Sequence, residues 1–350
     1  MIIKETDRTK VLISKDITSL FDKETGFTLT YGKTIEDDPD FCEYGPILAD
    51  IELTTICTGT RSGGLCPYCY KDNTAIGHNM SFEAFKTLFH KLPTYKGIPV
   101  LQQAAFGVDA QCITNPDVWK IFEYTRLMGV IPNVTVADVT DEVAQKLAKV
   151  CGAVAVSLHD NENICFDTVK RLTDAGLKQV NIHVMVSKET LKSVYTAIQA
   201  YERDPRLAKL NAIVLLSLKK KGRGKSFTPL SDIQFKEIVR YALFRDVPIG
   251  FDSCSAPKFA KAVKKDIDKY SQCIESCEST LFSIYIDSRS RVYPCSFSEG
   301  CSSWMSGIDM NCVKDFLKEV WFNEGIVEFR KKLIASKDEN EQRNCHLYEV

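Results

Sequence analysis

From residue 50 onward, two periods of apolar residues alternate along the chain. Short runs rich in apolar and β-branched residues recur as IELTT (51–55), VLQQAAF (100–106), NVTVA (133–137), AVAVSL (153–158), VNIHVMV (180–186), AIVLLSL (212–218) and VPIGF (247–251). Their length and composition are those of strands. Between them, apolar positions return at three- and four-residue steps, the period of an amphipathic helix. Ser81 opens FEAFKTLFHKL, Pro116 lies near the start of DVWKIFEYTRLM, Ser187 begins KETLKSVYTAIQAYER and Ser231 begins DIQFKEIVRYALF. DVWKIFEYTRLM, DEVAQKLAKVC and CFDTVKRLTDA stop at Gly129, Gly152 and Gly176, and such residues mark helix boundaries. The strand runs are nearly all apolar, which predicts burial on both faces of a parallel sheet.

Repeated βα units with right-handed crossovers build such a sheet. Six or so units fall short of the eight of a closed barrel, which takes about 250 residues. The expected fold class is α/β, a partial (β/α)6 TIM-like barrel over 48–250, with the active site at the carboxyl ends of the strands. Before it, residues 1–47 read as a cap: VLIS and FTLTYG as a hairpin around DKETG, then an acidic turn at EDDPD (36–40). After it, 251–350 read as a small cysteine-rich α+β domain. Here LFSIYID and RVYPC form a hairpin around SRS, and DFLKEVWFNEGIVEFRKKL is helical. This tail is too short and irregular for a large core, so an inorganic centre is expected to help fold it.

Composition is that of a soluble globular chain, 44% hydrophobic and 26% charged. The formal net charge of −1 gives no general attraction to nucleic acid or anionic membrane. MIIKETDRTK lacks a basic-then-apolar signal pattern, and no window reaches the ~18 apolar residues of a membrane span. A cytoplasmic protein is expected, with reduced thiols, so clustered cysteines point to metal rather than disulfides. Seven of the fourteen cysteines follow residue 250 and three lie on one loop, which suggests two metal regions.

That loop follows the first core strand run, in IELTTICTGTRSGGLCPYCYKDN (51–73). Cys57, Cys66 and Cys69 could hold three irons of a [4Fe–4S] cluster and leave the fourth open. The competing reading is structural zinc, which wants four ligands, commonly in CxxC-type pairs. Only one such pair is local, and His78 would have to be the fourth ligand. A strand, a cysteine, CPYCY and a long βα repeat resemble the radical S-adenosylmethionine enzymes. The resemblance implies that Cys57, Cys66 and Cys69 bind a [4Fe–4S] cluster whose open iron is chelated by S-adenosylmethionine. It further implies reductive cleavage to methionine and a 5′-deoxyadenosyl radical, which abstracts a substrate hydrogen. The family spacing is three residues, then two; here it is eight, then two, with Ser62 where the first cysteine would stand. The intervening TGTRSGGL has three glycines that let a longer loop fold back.

The same resemblance places Tyr68 beside S-adenosylmethionine. Gly107 and Asp109, in FGVD, stand where the family has a Gly-Gly-Glu-like motif that meets the methionine amino group. Ser157 faces the ribose or carboxylate, with a plain turn serine as the other reading. Asn181 and His183 alternate on one strand and so share a face; in a barrel interior they would need partners and are candidates for cofactor or substrate contact. KKKGRGK (219–225) reads first as a solvated loop; at the site mouth it would also suit an anionic substrate segment, and related enzymes carry a comparable loop.

FDSCSAP, CIESCEST, RVYPCSFSEG and RNCHLYEV resemble the auxiliary-cluster extension called SPASM, or its shortened twitch form. Ser290 stands where the family usually has a glycine in that hairpin. There is no dense downstream CxxC run, so the resemblance implies one auxiliary [4Fe–4S] cluster rather than two, with Cys254, Cys277, Cys295 and Cys345 as ligands. Cys273, Cys301 and Cys312 are reserves, and a zinc-stabilised tail is the competing reading. Cys42, Cys112, Cys151 and Cys165 read as buried thiols.

The activity implied is radical modification of a peptide or protein by crosslinking, epimerisation or oxidation, with flavodoxin or ferredoxin as one-electron donor. The first 47 residues look too short and polar for a winged-helix-type peptide-recognition domain, which weakens the peptide reading; a small molecule, sugar or nucleotide derivative is the alternative substrate. A non-catalytic zinc-binding interaction protein is the alternative of another class. Action on a nucleic-acid base has only the 219–225 loop in its favour, against a near-neutral charge.

Overall fold

Strand pairing from the first residues closes one end of the molecule. The computed structural model describes residues 1–34, 37, 39–159 and 161–348; Glu36 and Asp38 of the expected acidic turn lie outside them. Strands β1 (Ile2–Glu5), β2 (Thr9–Ile13), β3 (Thr18–Asp22) and β4 (Thr28–Tyr31) form an antiparallel sheet in that order. DKETG therefore joins β3 to β4, and VLIS lies mainly in β2, which pairs with β1 and β3. The expected single hairpin is corrected to four strands, because TSLFD buries only alternate residues and carries little apolar signal. This sheet covers the amino ends of the main strands. Lys10 is fully buried there and donates to the carbonyls of Leu101 at 2.8 Å and Gly129 at 3.3 Å. Burial lowers its pKa to about 8.

The main body runs β5 (Leu48–Glu52), α1 (Phe82–Phe89), a two-strand ribbon of β6 (Thr94–Tyr95) and β7 (Ile98–Pro99), then β8 (Gln103–Gly107), α2 (Val118–Leu127), β9 (Ile131–Val136), α3 (Asp141–Val150), β10 (Ala153–Leu158), α4 (Glu162–Asp174), β11 (Gln179–Val186), α5 (Leu191–Tyr201), β12 (Ala212–Ser217), α6 (Asp232–Phe244) and β13 (Ile249–Phe251). Strands β5 and β8 to β13 are parallel neighbours in chain order. The result is a mixed α/β fold on a large parallel sheet, with six βα units. Ser81 caps α1 by accepting from the Ala84 amide, and Ser231 forms a reciprocal capping box with Gln234 on α6. Ser187 does not begin α5; its hydroxyl meets Thr190, the residue before the helix.

One expectation fails in a way that matters for the site. The strands are not buried on both faces. In β11, Val180, Ile182, Val184 and Val186 are buried against the helices, whereas Asn181, His183 and Met185 on the other face are partly exposed. The same alternation appears in β5, β8 and β12. The inner face thus lines an open lumen, and the apolar look of the runs reflects aliphatic residues there, such as Val214 and Leu216.

Beyond β13 come α7 (Ala256–Ala262), α8 (Ile267–Tyr270), β14 (Ser283–Ile286), β15 (Arg291–Tyr293), β16 (Ile308–Asp309) and α9 (Glu324–Ile334). Strand β14 pairs in parallel with β5, and β15 and β16 add antiparallel beyond it, so one sheet of ten strands spans both parts. The tail does not rely on a small core of its own, as its sequence suggests, because Ile284, Ile286, Val292, Trp321 and Ile326 belong to the main apolar core. The expected helix over 315–333 is broken: a π-turn (Leu317–Trp321) ends before Asn323, whose side chain caps α9. The break buries Trp321, whose indole donates to the Cys42 carbonyl at 2.8 Å. No helix among the described residues is long and apolar enough to cross a membrane.

Candidate active site at the barrel mouth

The cysteine loop leaves the carboxyl end of β5. Its base is a short bridge in which the Cys57 amide donates to the Thr74 carbonyl at 2.7 Å. The Gly-rich insertion does not swing free. Gly59 and Gly63 have positive φ, the Thr60 amide donates to Gly64 O, and Arg61 reaches Asp138 after β9 through its amide (2.8 Å) and Nε (2.9 Å). Burial pushes the Asp138 carboxyl up, but Arg61 outweighs it and holds it below its usual range. Gln111 after β8 donates to Gly59 O at 2.9 Å.

Cys57 and Cys69 both lie close enough to Cys66 to affect its titration. Burial pushes Cys66 up to about 12, and the nearby Cys69 and Cys57 add to the rise. A metal centre would reverse that preference, since a coordinated thiol is deprotonated. Among the described residues no three Cys, His, Asp or Glu side chains are close enough together to hold one metal ion. A mononuclear zinc needs that convergence; a cluster offering each thiolate its own iron does not. His78, the alternative zinc ligand, pairs with Thr55 through its backbone, and its Nδ1 is buried without a partner.

The basic loop 219–225 corrects the reading of a solvated segment. Gly222 has φ +54° and lies against the loop; a Cβ there would come within 2.4 Å of the Cys69 carbonyl oxygen. Arg223 donates from its amide to Cys69 O (3.0 Å), from Nε to Cys66 O (2.8 Å) and from Nη1 to Asp72 (2.8 Å). Lys221 donates to the carbonyls of Ser296, Phe297 and Glu299. Lys219 is buried, ion-paired with Asp252, and 5.0 Å from the Phe297 ring centre. Burial opposes its charge, but Asp252 and Cys254 more than compensate and raise its pKa. The segment is a strap joining both cysteine regions.

The other expected residues separate into two groups. Tyr68 crosses the mouth to donate to Leu158 O at 2.5 Å and packs edge-on against Phe227 and His159. Ser157 and His183 are register partners on adjacent strands. Burial lowers the pKa of His183 to about 4, so its imidazole is neutral at neutral pH. Gly107 is exposed, and a Cβ there would come 3.3 Å from Glu52 Cα. Asp109 is engaged by its own turn. It is buried, and its carboxylate accepts from the amides of Gln111, Ile113 and Thr114 and from the Thr114 hydroxyl. It shapes a turn, and Asn115 beyond it holds the carbonyls of Leu53 and Met80. Asn181 lies lower on β11, its oxygen taken by Asn211 at 2.9 Å.

In the tail, Cys254, Cys277, Cys295 and Cys345 come from four separate segments into one neighbourhood. Cys254 interacts with Cys277 and Cys345, Cys277 with Cys295 and Cys345, and Cys295 with Cys345. Burial raises all of the first three, Cys277 to about 12. Arg343 anchors the last segment by donating to Cys277 O at 2.8 Å. Cys301 lies close by, 3.1 Å from the Tyr348 hydroxyl, while Cys273 and Cys312 are exposed. Cys42, Cys112, Cys151 and Cys165 are buried.

Sequence reasoning missed the group between the two regions. Lys71, two residues past Cys69, meets Glu52 at 3.0 Å, Glu299 and the Tyr285 hydroxyl at 2.7 Å. Burial opposes the Lys71 charge, but the two carboxylates outweigh it and raise its pKa. No local pattern marks this group, since its members lie up to 247 positions apart (299 − 52).

No family model and no curated protein matches the chain by sequence. Among solved structures, the fold is similar to that of Streptococcus suis SuiB bound to S-adenosylmethionine, with TM-score 0.62 and 12% identity over 88% of this chain and 78% of that one. HydG, a maturase of the [FeFe]-hydrogenase, overlaps over 60% of this chain and 51% of its own, at 17% identity and TM-score 0.38. The likeness to SuiB is one of fold.

Proposed function

We propose that the chain is a radical S-adenosylmethionine enzyme whose Cys57, Cys66 and Cys69 hold a [4Fe–4S] cluster with one iron left for S-adenosylmethionine. The observation that carries this reading is the placing of three thiols on one loop at the carboxyl end of β5, with Cys57 and Cys69 both near Cys66. When bound, the cluster supplies the electron that cleaves S-adenosylmethionine to methionine and a 5′-deoxyadenosyl radical, which takes a hydrogen from substrate. The chain's own residues shape the surroundings. Arg223 and the Asp109 turn fix the loop from two sides. Tyr68, Gly107, Ser157 and the neutral His183 line the mouth where the cofactor is expected.

Cys254, Cys277, Cys295 and Cys345 suit one auxiliary cluster. Four thiolates would close it to substrate ligation, which leaves electron transfer, with flavodoxin or ferredoxin as the external donor. We favour a peptide or protein substrate. A cavity of 580 Å³ opens beside the edge strand β13, lined among others by Phe251, Phe259 and Tyr270, and offers an extended chain a side approach to the sheet.

Anaerobically reconstituted, dithionite-reduced protein should convert S-adenosylmethionine to 5′-deoxyadenosine, and Cys66→Ala with Cys69→Ala should abolish the product. An intact cluster without that product would overturn the reading; zinc without iron after anaerobic purification would replace it with the interaction-protein alternative.

A further inference from the structure

Asp50 occupies the middle of β5 on its lumen face, between two residues that bury against the helices, Ala49 and Ile51. Its register partners are Ala105 on β8 and Tyr285 on β14. It is partly exposed although β5 is flanked by strands on both sides, so its carboxylate faces the open lumen. Burial is the sole cause that raises its pKa, to about 6; among the described residues no donor or cation meets it. Lys71 is already shared by Glu52, Glu299 and the Tyr285 hydroxyl and lies over the Tyr285 ring at 5.1 Å. Tyr70, close enough to feel the Asp50 charge, carries no charge of its own at neutral pH because burial raises its pKa. His183 is neutral. The lumen therefore carries an uncompensated negative charge, with Tyr285 on β14 and Tyr70 nearby and only the small, partly exposed Ala105 beside it on β8.

A lone carboxylate is a poor site for a divalent metal, which takes several oxygen ligands. A carboxylate without a partner suits an organic cation, which it holds by charge and by charge-assisted hydrogen bonds. We propose that Asp50 anchors an ammonium or guanidinium group in the barrel lumen, and, resting on the radical reading above, that this group belongs to the substrate. The cation would come from a lysine- or arginine-like side chain of a peptide or from a small amine.

The test uses full-length reconstituted protein and calorimetry without turnover. The probes are N-acetyl-lysine methylamide, its uncharged counterpart N-acetyl-norleucine methylamide, and a pentapeptide with a central lysine. The lysine probe should bind more tightly than the norleucine probe, and Asp50→Asn should weaken it by about thirtyfold or more, the usual result of removing one partner of a buried charge pair. Asp50→Glu should restore most of the affinity. Ala105→Leu, which fills the space beside Asp50, should weaken it independently and serves if Asp50→Asn does not fold. Tighter binding of the pentapeptide assigns the cation to a peptide, and equal binding assigns it to a free amine. Equal affinity of the lysine and norleucine probes in wild type, or an unchanged lysine affinity in Asp50→Asn, would overturn the proposal. Failure of the radical reading would appear separately, as wild-type protein that makes no 5′-deoxyadenosine.

Discussion

The two thiol gatherings are built in opposite ways. Cys57, Cys66 and Cys69 belong to one loop, and the rest of the molecule merely presses on it: Arg223 from one side, the Asp109 turn and Asp138 from the other. Cys254, Cys277, Cys295 and Cys345 come from four segments spread over the last hundred residues. The first is a local site that the fold positions. The second exists only because the fold has brought distant segments together, and a centre bound there would tie those segments to one another. The difference teaches that three thiols on a loop leave a position open, whereas four from different segments make a staple.

The largest contrast should come from removing each set. Cys66→Ala with Cys69→Ala should abolish 5′-deoxyadenosine formation while hydrogen exchange in 252–300 and 336–348 stays as in wild type. Cys277→Ala with Cys295→Ala should do the reverse for protection, exposing those segments and leaving the first loop's iron signal in place. Equal loss of protection in both variants would break the contrast. Next comes the wall between the gatherings. Lys71→Met leaves Glu52 and Glu299 without their shared cation and should cost about 3–5 kcal/mol in chemical unfolding, as expected for a broken buried ion pair. In that variant the Glu52 carboxyl, raised by burial and no longer held down by Lys71, favours its protonated form in the folded state, so stability should recover as pH is lowered from 7 towards 5. A pH-independent loss would mean that the pair does not hold the wall.

A smaller effect is expected at the strap. Arg223→Ala removes charge-assisted bonds to Cys66 O and Asp72, about 2–3 kcal/mol of local stability. It should speed iron loss to a chelator from the first loop and not from the tail; equal acceleration at both would show that the strap couples them as one unit. The smallest effect is expected at Cys165. Its thiol is fully buried against Val156, and Cys165→Ala should cost about 1 kcal/mol with iron content unchanged. A drop in iron would make it a ligand rather than a packing residue.

Much of the fold was legible because its period is local. Six βα units, the caps at Ser81 and Ser231 and the hairpin around SRS all follow from residues within a turn or two of one another. The β3 strand and the break at Asn323 were not, since the first buries only alternate residues and the second answers to a pocket for Trp321 formed by distant chain. The same division holds for the site. CPYCY announces its loop, but Asp109 looks like a cofactor contact until its carboxylate is seen to accept four hydrogen bonds from its own turn. KKKGRGK looks solvated until Gly222 is found against Cys69. Asp50 looks like one acidic residue in a strand until β14 is found beside it.

By itself, then, the sequence determined the alternation of strands and helices and the three-cysteine loop at the carboxyl end of the first core strand, all of which depend on short-range spacing. Only the tertiary structure decided which carboxylates are paired and which face the lumen unpaired, that the basic loop is a strap, and that the tail extends the barrel's own sheet. Those outcomes depend on burial and on long-range partners, and a charge's environment is set by whatever distant segment folds against it.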